Sequence, residues 1–187
     1  LSGKRVGLIG LGRIGRIVAD ICTRAFHMEI WAYDPYVKPE TSGAEGVVLK
    51  DDMSAVLRTA DFLSLHVPVT ENTRGLMGNA EFEFMKPGAF FINTSRGEIV
   101  QEAALVDALK SEKIAGAGLD VFEKEPPDVA NPLFDLENVI ATPHSAALTQ
   151  EAVALLAEGS AENVLRVLQG KKPSYSPNWD QVKAKIS

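Results

Sequence analysis

Absences narrow the reading of this sequence first. A single cysteine, Cys22, among 187 residues excludes a disulfide within the chain and fits a reducing compartment, so a cytoplasmic location is expected. Basic residues are outnumbered, 19 Lys and Arg against 25 Asp and Glu, and the net charge is −6. They form no patch longer than Lys171–Lys172, and neutralising phosphates needs grouped cations, so nucleic acid is not an expected partner. No apolar run nears the roughly 20 residues that cross a bilayer, so no membrane partner is expected either. There is no internal repeat and no low-complexity tract. With 45% apolar and 24% charged residues, the composition is that of a globular domain with a sizeable core.

What is present is an alternation of short β-branched or aromatic runs with amphipathic stretches. The runs are Arg5–Ile9, Glu29–Tyr33, Phe62–His66, Ala89–Asn93, Ala115–Leu119 and Val139–Ala141, with Gly46–Leu49 as a short edge strand. Helices are expected over Arg13–Phe26, Asp52–Thr59, Asn79–Met85, Glu102–Glu112 and Gln150–Gln169, the last capped by Thr149. Strand–helix alternation predicts an α/β fold: a doubly wound parallel sheet in three layers, α/β/α. In the first helix Ile14, Ile17, Val18, Ile21, Cys22 and Ala25 recur at steps of three and four, so that stripe is expected to face the core. After Gly170 the composition turns to Lys, Pro, Ser and Asn, and a tail without a core of its own is expected, mobile or packed on another copy.

The first strand runs straight into Gly10-Leu11-Gly12-Arg13-Ile14-Gly15, which opens the first helix. Gly10 permits the tight turn, Gly12 lets backbone approach a pyrophosphate, and Gly15 lets helix and strand pack closely. The helix start, with Arg13 and Ile14, offers unpaired N–H groups and a positive dipole end to that pyrophosphate. Asp34 ends the second strand nineteen residues after Gly15, where a carboxylate accepts hydrogen bonds from a ribose diol and repels a 2′-phosphate. A Rossmann fold binding NAD in preference to NADP is therefore expected.

Four further stretches narrow the chemistry. They are His66-Val67-Pro68-Val69-Thr70 running to Thr73-Arg74-Gly75-Leu76; Phe91-Ile92-Asn93-Thr94-Ser95-Arg96-Gly97; Gly116 through Asp120 and Glu125 to Pro126; and Ala141-Thr142-Pro143-His144-Ser145. In this order and spacing, from about Leu1 to Gly170, the chain resembles the D-isomer-specific 2-hydroxyacid dehydrogenases. The resemblance implies NAD-dependent hydride exchange with a small 2-hydroxy or 2-oxo acid, such as 3-phosphoglycerate, hydroxypyruvate or glyoxylate. It implies a catalytic trio: Arg96 binding the substrate carboxylate and carbonyl, His144 as acid and base, and Glu125 orienting the imidazole. It further implies that Asp120 accepts from the nicotinamide carboxamide, that Val67, Pro68, Thr73 and the Thr94–Ser95 backbone line the cofactor cleft, and that the protein is a homodimer. Gln101 stands where relatives commonly carry Asp, which weakens a helix cap and touches no chemistry. Glu125 argues against formate oxidation, because formate dehydrogenases of the family use Gln there.

Two other classes compete. Corepressors of the same family use NAD as a structural ligand, and they carry a tryptophan after the histidine that Leu148 and its neighbours lack. Adenosylhomocysteinases and beta-hydroxyacid dehydrogenases lack the trio at these spacings. In this family the cofactor domain is inserted into a second domain. Because the first strand starts at residue 4 or 5, residues 1–148 are expected to be the NAD-binding domain. Residues 149–187 would then be a helix and tail returning toward a substrate domain, whose N-terminal part is expected to be absent here. Such a fragment would hold NAD with little or no turnover alone.

Overall fold

The computed structural model describes residues 1–38 and 46–186. Seven strands are present among the described residues: β1 (Arg5–Ile9), β2 (Glu29–Tyr33), β3 (Val47–Lys50), β4 (Phe62–Leu65), β5 (Ala89–Asn93), β6 (Ile114–Leu119) and β7 (Val139–Ala141). Between and after them lie α1 (Arg13–Phe26), α2 (Met53–Leu57), α3 (Asn79–Phe84), α4 (Glu102–Lys110), α5 (Gln150–Leu168) and α6 (Trp179–Ile186). All strand pairings are parallel, in the order β3-β2-β1-β4-β5-β6-β7. The order reverses between β1 and β4, and the crevice beyond their C-terminal ends is where such sheets take ligands. No helix among the described residues is long and apolar enough to cross a membrane.

The chain divides into two compact units, Leu1–His144 and Ser145–Ser187. In the first, alternation along each strand sends successive side chains to opposite faces. Val6, Leu8, Ile30 and Ala32 pack with Ala19 of α1 on one face. Ile9, Leu63, Leu65, Phe91 and Leu119 pack with Val56 and Leu57 of α2, Phe82 of α3, and Leu105 and Leu109 of α4 on the other. Phe82 and Phe91 meet edge to face at 5.3 Å. Each fully buried side chain of this size stabilises by about 1.5–3 kcal/mol relative to exposure.

The expected inward stripe of α1 is corrected by the structure. Gly15 and Ala19 are buried and Val18 and Cys22 half-buried, whereas Ile14, Ile17 and Ile21 are 66%, 59% and 49% exposed. Two apolar faces overlap on this helix, and the one with small residues wins because only it lets the helix press against β1. The same side of the sheet is bare over β5 and β7 within this unit, where Phe90 and Ile140 are exposed.

The tail reading is corrected too. Arg166 Nε donates to Lys172 O at 2.7 Å and Ser174 N to Asn163 Oδ1 at 2.8 Å, so the chain doubles back along α5 and buries Pro173. It then forms α6, with Asn178 O accepting from Gln181 and Val182. Pro173 and Pro177 give the whole tail a breaker-rich composition, but nothing after Asn178 interrupts a helix.

Candidate active site

Most residues singled out from the sequence lie at or just beyond a strand's C-terminal end, while Arg13, Ile14 and Gly15 open α1, and Thr73 and Glu125 stand further along the loops after β4 and β6. Gly10 follows β1, Asp34 β2, His66 β4, Thr94 β5 and Asp120 β6, while His144 stands three residues past β7. The glycine loop is held without slack. Gly10 has φ +97°, and a Cβ there would lie 2.6 Å from the His66 carbonyl oxygen; one on Gly15 would lie 2.4 Å from Gly10 O. A Cβ on Gly12 would meet nothing within 4 Å. The first turn of α1 has no side-chain cap and no acidic residue, and Arg13 and Ile14 in it are exposed. Such a turn can hold a diphosphate on its N–H groups.

Asp34 closes the other side of this loop. Its Oδ2 accepts from Leu11 N and its Oδ1 from Tyr36 N, both at 2.9 Å. The carboxylate is thereby fixed at the mouth of the cleft and half-exposed. Val67 packs against Gly10. Thr73 Oγ1 donates to Pro68 O at 2.6 Å and accepts from Thr70 N at 2.7 Å, which closes the loop after β4. His66 is held by Ser64 Oγ at 3.0 Å from its Nε2, and burial pushes its imidazole down to about 4, so it is neutral.

The candidate acid–base pair is in direct contact: His144 Nδ1 lies 2.7 Å from Glu125 Oε2. Glu125 Oε1 accepts from Phe122 N at 3.1 Å. Burial alone would raise the Glu125 carboxyl, but the hydrogen bonds from His144 and Phe122 and the charges of His144 and Arg96 bring it below its ordinary value. His144 adopts φ +52°, a conformation uncommon for a non-glycine residue, and its N–H donates to Asp120 O at 2.8 Å. With Nδ1 engaged, its Nε2 has no protein partner among the described residues. A cavity of about 560 Å³ opens beside the pair, walled by Phe122, Pro126, Pro127, Phe134 and Pro143.

Arg96 is exposed, and its Nη1 donates to Ser95 O at 2.6 Å. No hydrogen bond or ion pair joins Arg96 to Glu125 or His144 among the described residues. Sequence reasoning missed the groups that set this turn. The Asn93 side chain, 1% exposed, donates to Arg96 O and accepts from Ser95 N and Oγ. Asp120, 3% exposed, accepts from Thr142 Oγ1 at 2.5 Å. Asparagine at a strand end signals such a turn; nothing local signals Thr142. Gln101 gives α4 no side-chain cap; its amide instead donates to Gly75 O at 3.1 Å, bracing the loop that carries Thr73.

Comparison with known proteins gives this geometry a family. The profile of the D-isomer specific 2-hydroxyacid dehydrogenase, NAD binding domain, matches residues 1–146. The chain is 46% identical over 170 residues to a D-3-phosphoglycerate dehydrogenase of Archaeoglobus fulgidus, covering 91% of this chain and 32% of that protein. It is 44% identical to a glyoxylate reductase of Thermococcus litoralis, covering 96% and 54% respectively. The structure of a D-lactate dehydrogenase with NAD+ from Lactobacillus jensenii superposes with a TM-score of 0.84 at 36% identity, over 92% of this chain and 55% of that one. The chain thus spans about a third to a half of these relatives. A glycine turn closed to side chains at Gly10 and Gly15 and open at Gly12, a helix start without a cap, and a fixed carboxylate at the end of β2 fit NAD. The chain belongs to the D-isomer-specific 2-hydroxyacid dehydrogenase family, as an NAD-binding domain of it.

Proposed function

We propose that the full-length protein transfers a hydride between NAD and a D-2-hydroxy acid or its 2-oxo counterpart, with residues 1–148 as the cofactor domain and 149–187 returning toward a substrate domain. The observation that carries this reading is the 2.7 Å contact between His144 Nδ1 and Glu125 Oε2, at the sheet edge that bears the glycine loop. Bound NAD supplies or takes up the hydride. His144 Nε2 gives its proton to the carbonyl oxygen in reduction and removes it from the hydroxyl in oxidation. Glu125 fixes which nitrogen faces the substrate and offsets the imidazolium charge. Arg96 holds the substrate carboxylate, a task suited to a planar, permanently charged fork. Asp34 accepts from the adenosine ribose and Asp120 from the nicotinamide carboxamide, with Val67, Pro68, Thr73 and the Thr94–Ser95 backbone lining the cleft between.

Steady-state turnover of the full-length polypeptide with glyoxylate, hydroxypyruvate and phosphohydroxypyruvate tests this. NADH is expected to outperform NADPH by at least about tenfold in kcat/KM, since Asp34 repels a 2′-phosphate. Intact NAD binding with no turnover of any 2-oxo acid would instead favour a corepressor-like scaffold. The lone thiol supports a cytoplasmic location, which cell fractionation checks.

A homodimer completes the reading. The exposed Ile14, Ile17 and Ile21 stripe, with the bare Phe90 and Ile140, supports a self-complementary contact between cofactor domains. Sedimentation equilibrium is expected to give twice the chain mass, and Ile17→Asp to lower it toward one copy. An unchanged mass in that variant would place the contact elsewhere.

A further inference from the structure

We propose that Glu102 is a positioning residue for the acid–base pair, an inference that rests on the roles given above to Glu125 and His144. Glu102 is the first residue of α4, which follows the Arg96 turn and the short 3-10 turn at Gly97–Ile99. Its Oε1 accepts from Glu123 N at 2.5 Å and its Oε2 from Asn131 Nδ2 at 2.8 Å. In return its own N–H donates to Glu123 Oε2 at 3.2 Å. These bonds cap the helix start reciprocally, from a segment more than twenty residues away, in the place where Gln101 offers no side-chain cap. They also fasten the loop from Phe122 to Asn131 near both ends.

Glu125 lies inside that fastened loop, and its Oε1 accepts from the Phe122 N–H one residue before Glu123. The chain of contacts therefore runs from Glu102 to the Glu123 backbone, to Phe122, to the Glu125 carboxylate and on to His144 Nδ1. A second contact points the same way. A Cβ on Gly97 would lie 1.9 Å from the Phe122 carbonyl, so the residue after Arg96 presses directly on the backbone that tethers Glu125. The start of α4 sets the spacing between the anion-binding turn and the acid–base segment. A carboxylate is needed for this because it presents two acceptor oxygens to two donors; a carboxamide offers one, and alanine none. Proton transfer is sensitive to displacements below 1 Å, so a residue that touches neither substrate nor cofactor can still govern turnover.

The Glu125 carboxyl titration, followed by carboxyl ¹³C NMR on this chain, reads the contact at its far end. The charged groups facing Glu125 are His144 and Arg96. His144→Asn is the control and is expected to raise the Glu125 titration by about half a pH unit or more. Glu102→Ala is expected to raise it in the same direction with His144 still present, and Glu102→Gln and Asn131→Ala, which each break one of the two bonds, by less. NAD affinity is expected to stay within about twofold in all three Glu102 and Asn131 variants, since none of them touches the glycine loop. In the full-length enzyme Glu102→Ala is expected to lower kcat about tenfold at unchanged KM for NADH. If His144→Asn moves Glu125 and Glu102→Ala does not, the positioning role is wrong and the acid–base pair stands. If His144→Asn leaves Glu125 unmoved, the pair itself fails and the role of Glu102 falls with it.

Discussion

His144→Asn is expected to lower kcat of the full-length enzyme by about 10²–10⁴-fold while leaving NAD affinity within about twofold. The histidine sits three residues beyond β7, held by three independent constraints. Its ring is fixed by Glu125 at 2.7 Å, its backbone N–H by Asp120 O, and its left-handed φ commits the chain to turn there. A side chain held in an uncommon conformation next to a carboxylate, with its second nitrogen unengaged, suits the proposed proton transfer. Asparagine tolerates left-handed φ better than most residues, so the variant keeps the fold and removes only the titrating ring. Glu125→Gln should cost less, because a carboxamide can still orient the imidazole while failing to offset its charge. Stopped-flow or steady-state kinetics with NADH separate these outcomes. A His144→Asn enzyme within threefold of the parent would remove the imidazole from the reaction.

The second large effect lies in the glycine loop, where two neighbouring glycines should behave differently. Gly12→Ala introduces a Cβ that meets no protein atom within 4 Å, so thermal stability should be unchanged within a degree or two. That Cβ occupies the space into which a diphosphate must settle against the helix N–H groups, and NAD affinity should fall about 30–100-fold, equivalent to about 2–2.7 kcal/mol. Gly15→Ala should lose both properties, because its Cβ would lie 2.4 Å from Gly10 O and the helix start would have to move. Calorimetric titration with NAD beside a melting curve for each variant distinguishes them. Equal losses of stability and affinity in both would mean the loop is a structural turn only.

The strands at Arg5–Ile9, Glu29–Tyr33, Ala89–Asn93 and Val139–Ala141, and the helix Arg13–Phe26, were legible to the residue because turn formers bracket each apolar run. The placement of the candidate residues was legible for a related reason: the sheet's C-terminal edge gathers whatever follows each strand, so position in the pattern becomes position in space. Orientation was not. The α1 stripe of Ile14, Ile17 and Ile21 satisfies helical periodicity, yet Gly15 and Ala19 face the sheet, since closeness of packing rather than bulk chose the inner face. The tail helix was hidden by averaging over Pro173 and Pro177. Contacts across long sequence separations were equally invisible. Thr142 to Asp120 and Glu102 to Glu123 join segments 22 and 21 residues apart, and no local pattern announces either bond.

Diffraction from crystals of this chain soaked with NAD is the most direct measurement. The diphosphate oxygens should lie about 3 Å from N–H groups between Gly12 and Ile14, with the ribose diol at Asp34 and the nicotinamide ring beside the His144 imidazole. A diphosphate bound away from the start of α1, or a nicotinamide on the far side of the sheet edge from His144, would contradict the assignment of both the cofactor cleft and the reacting pair.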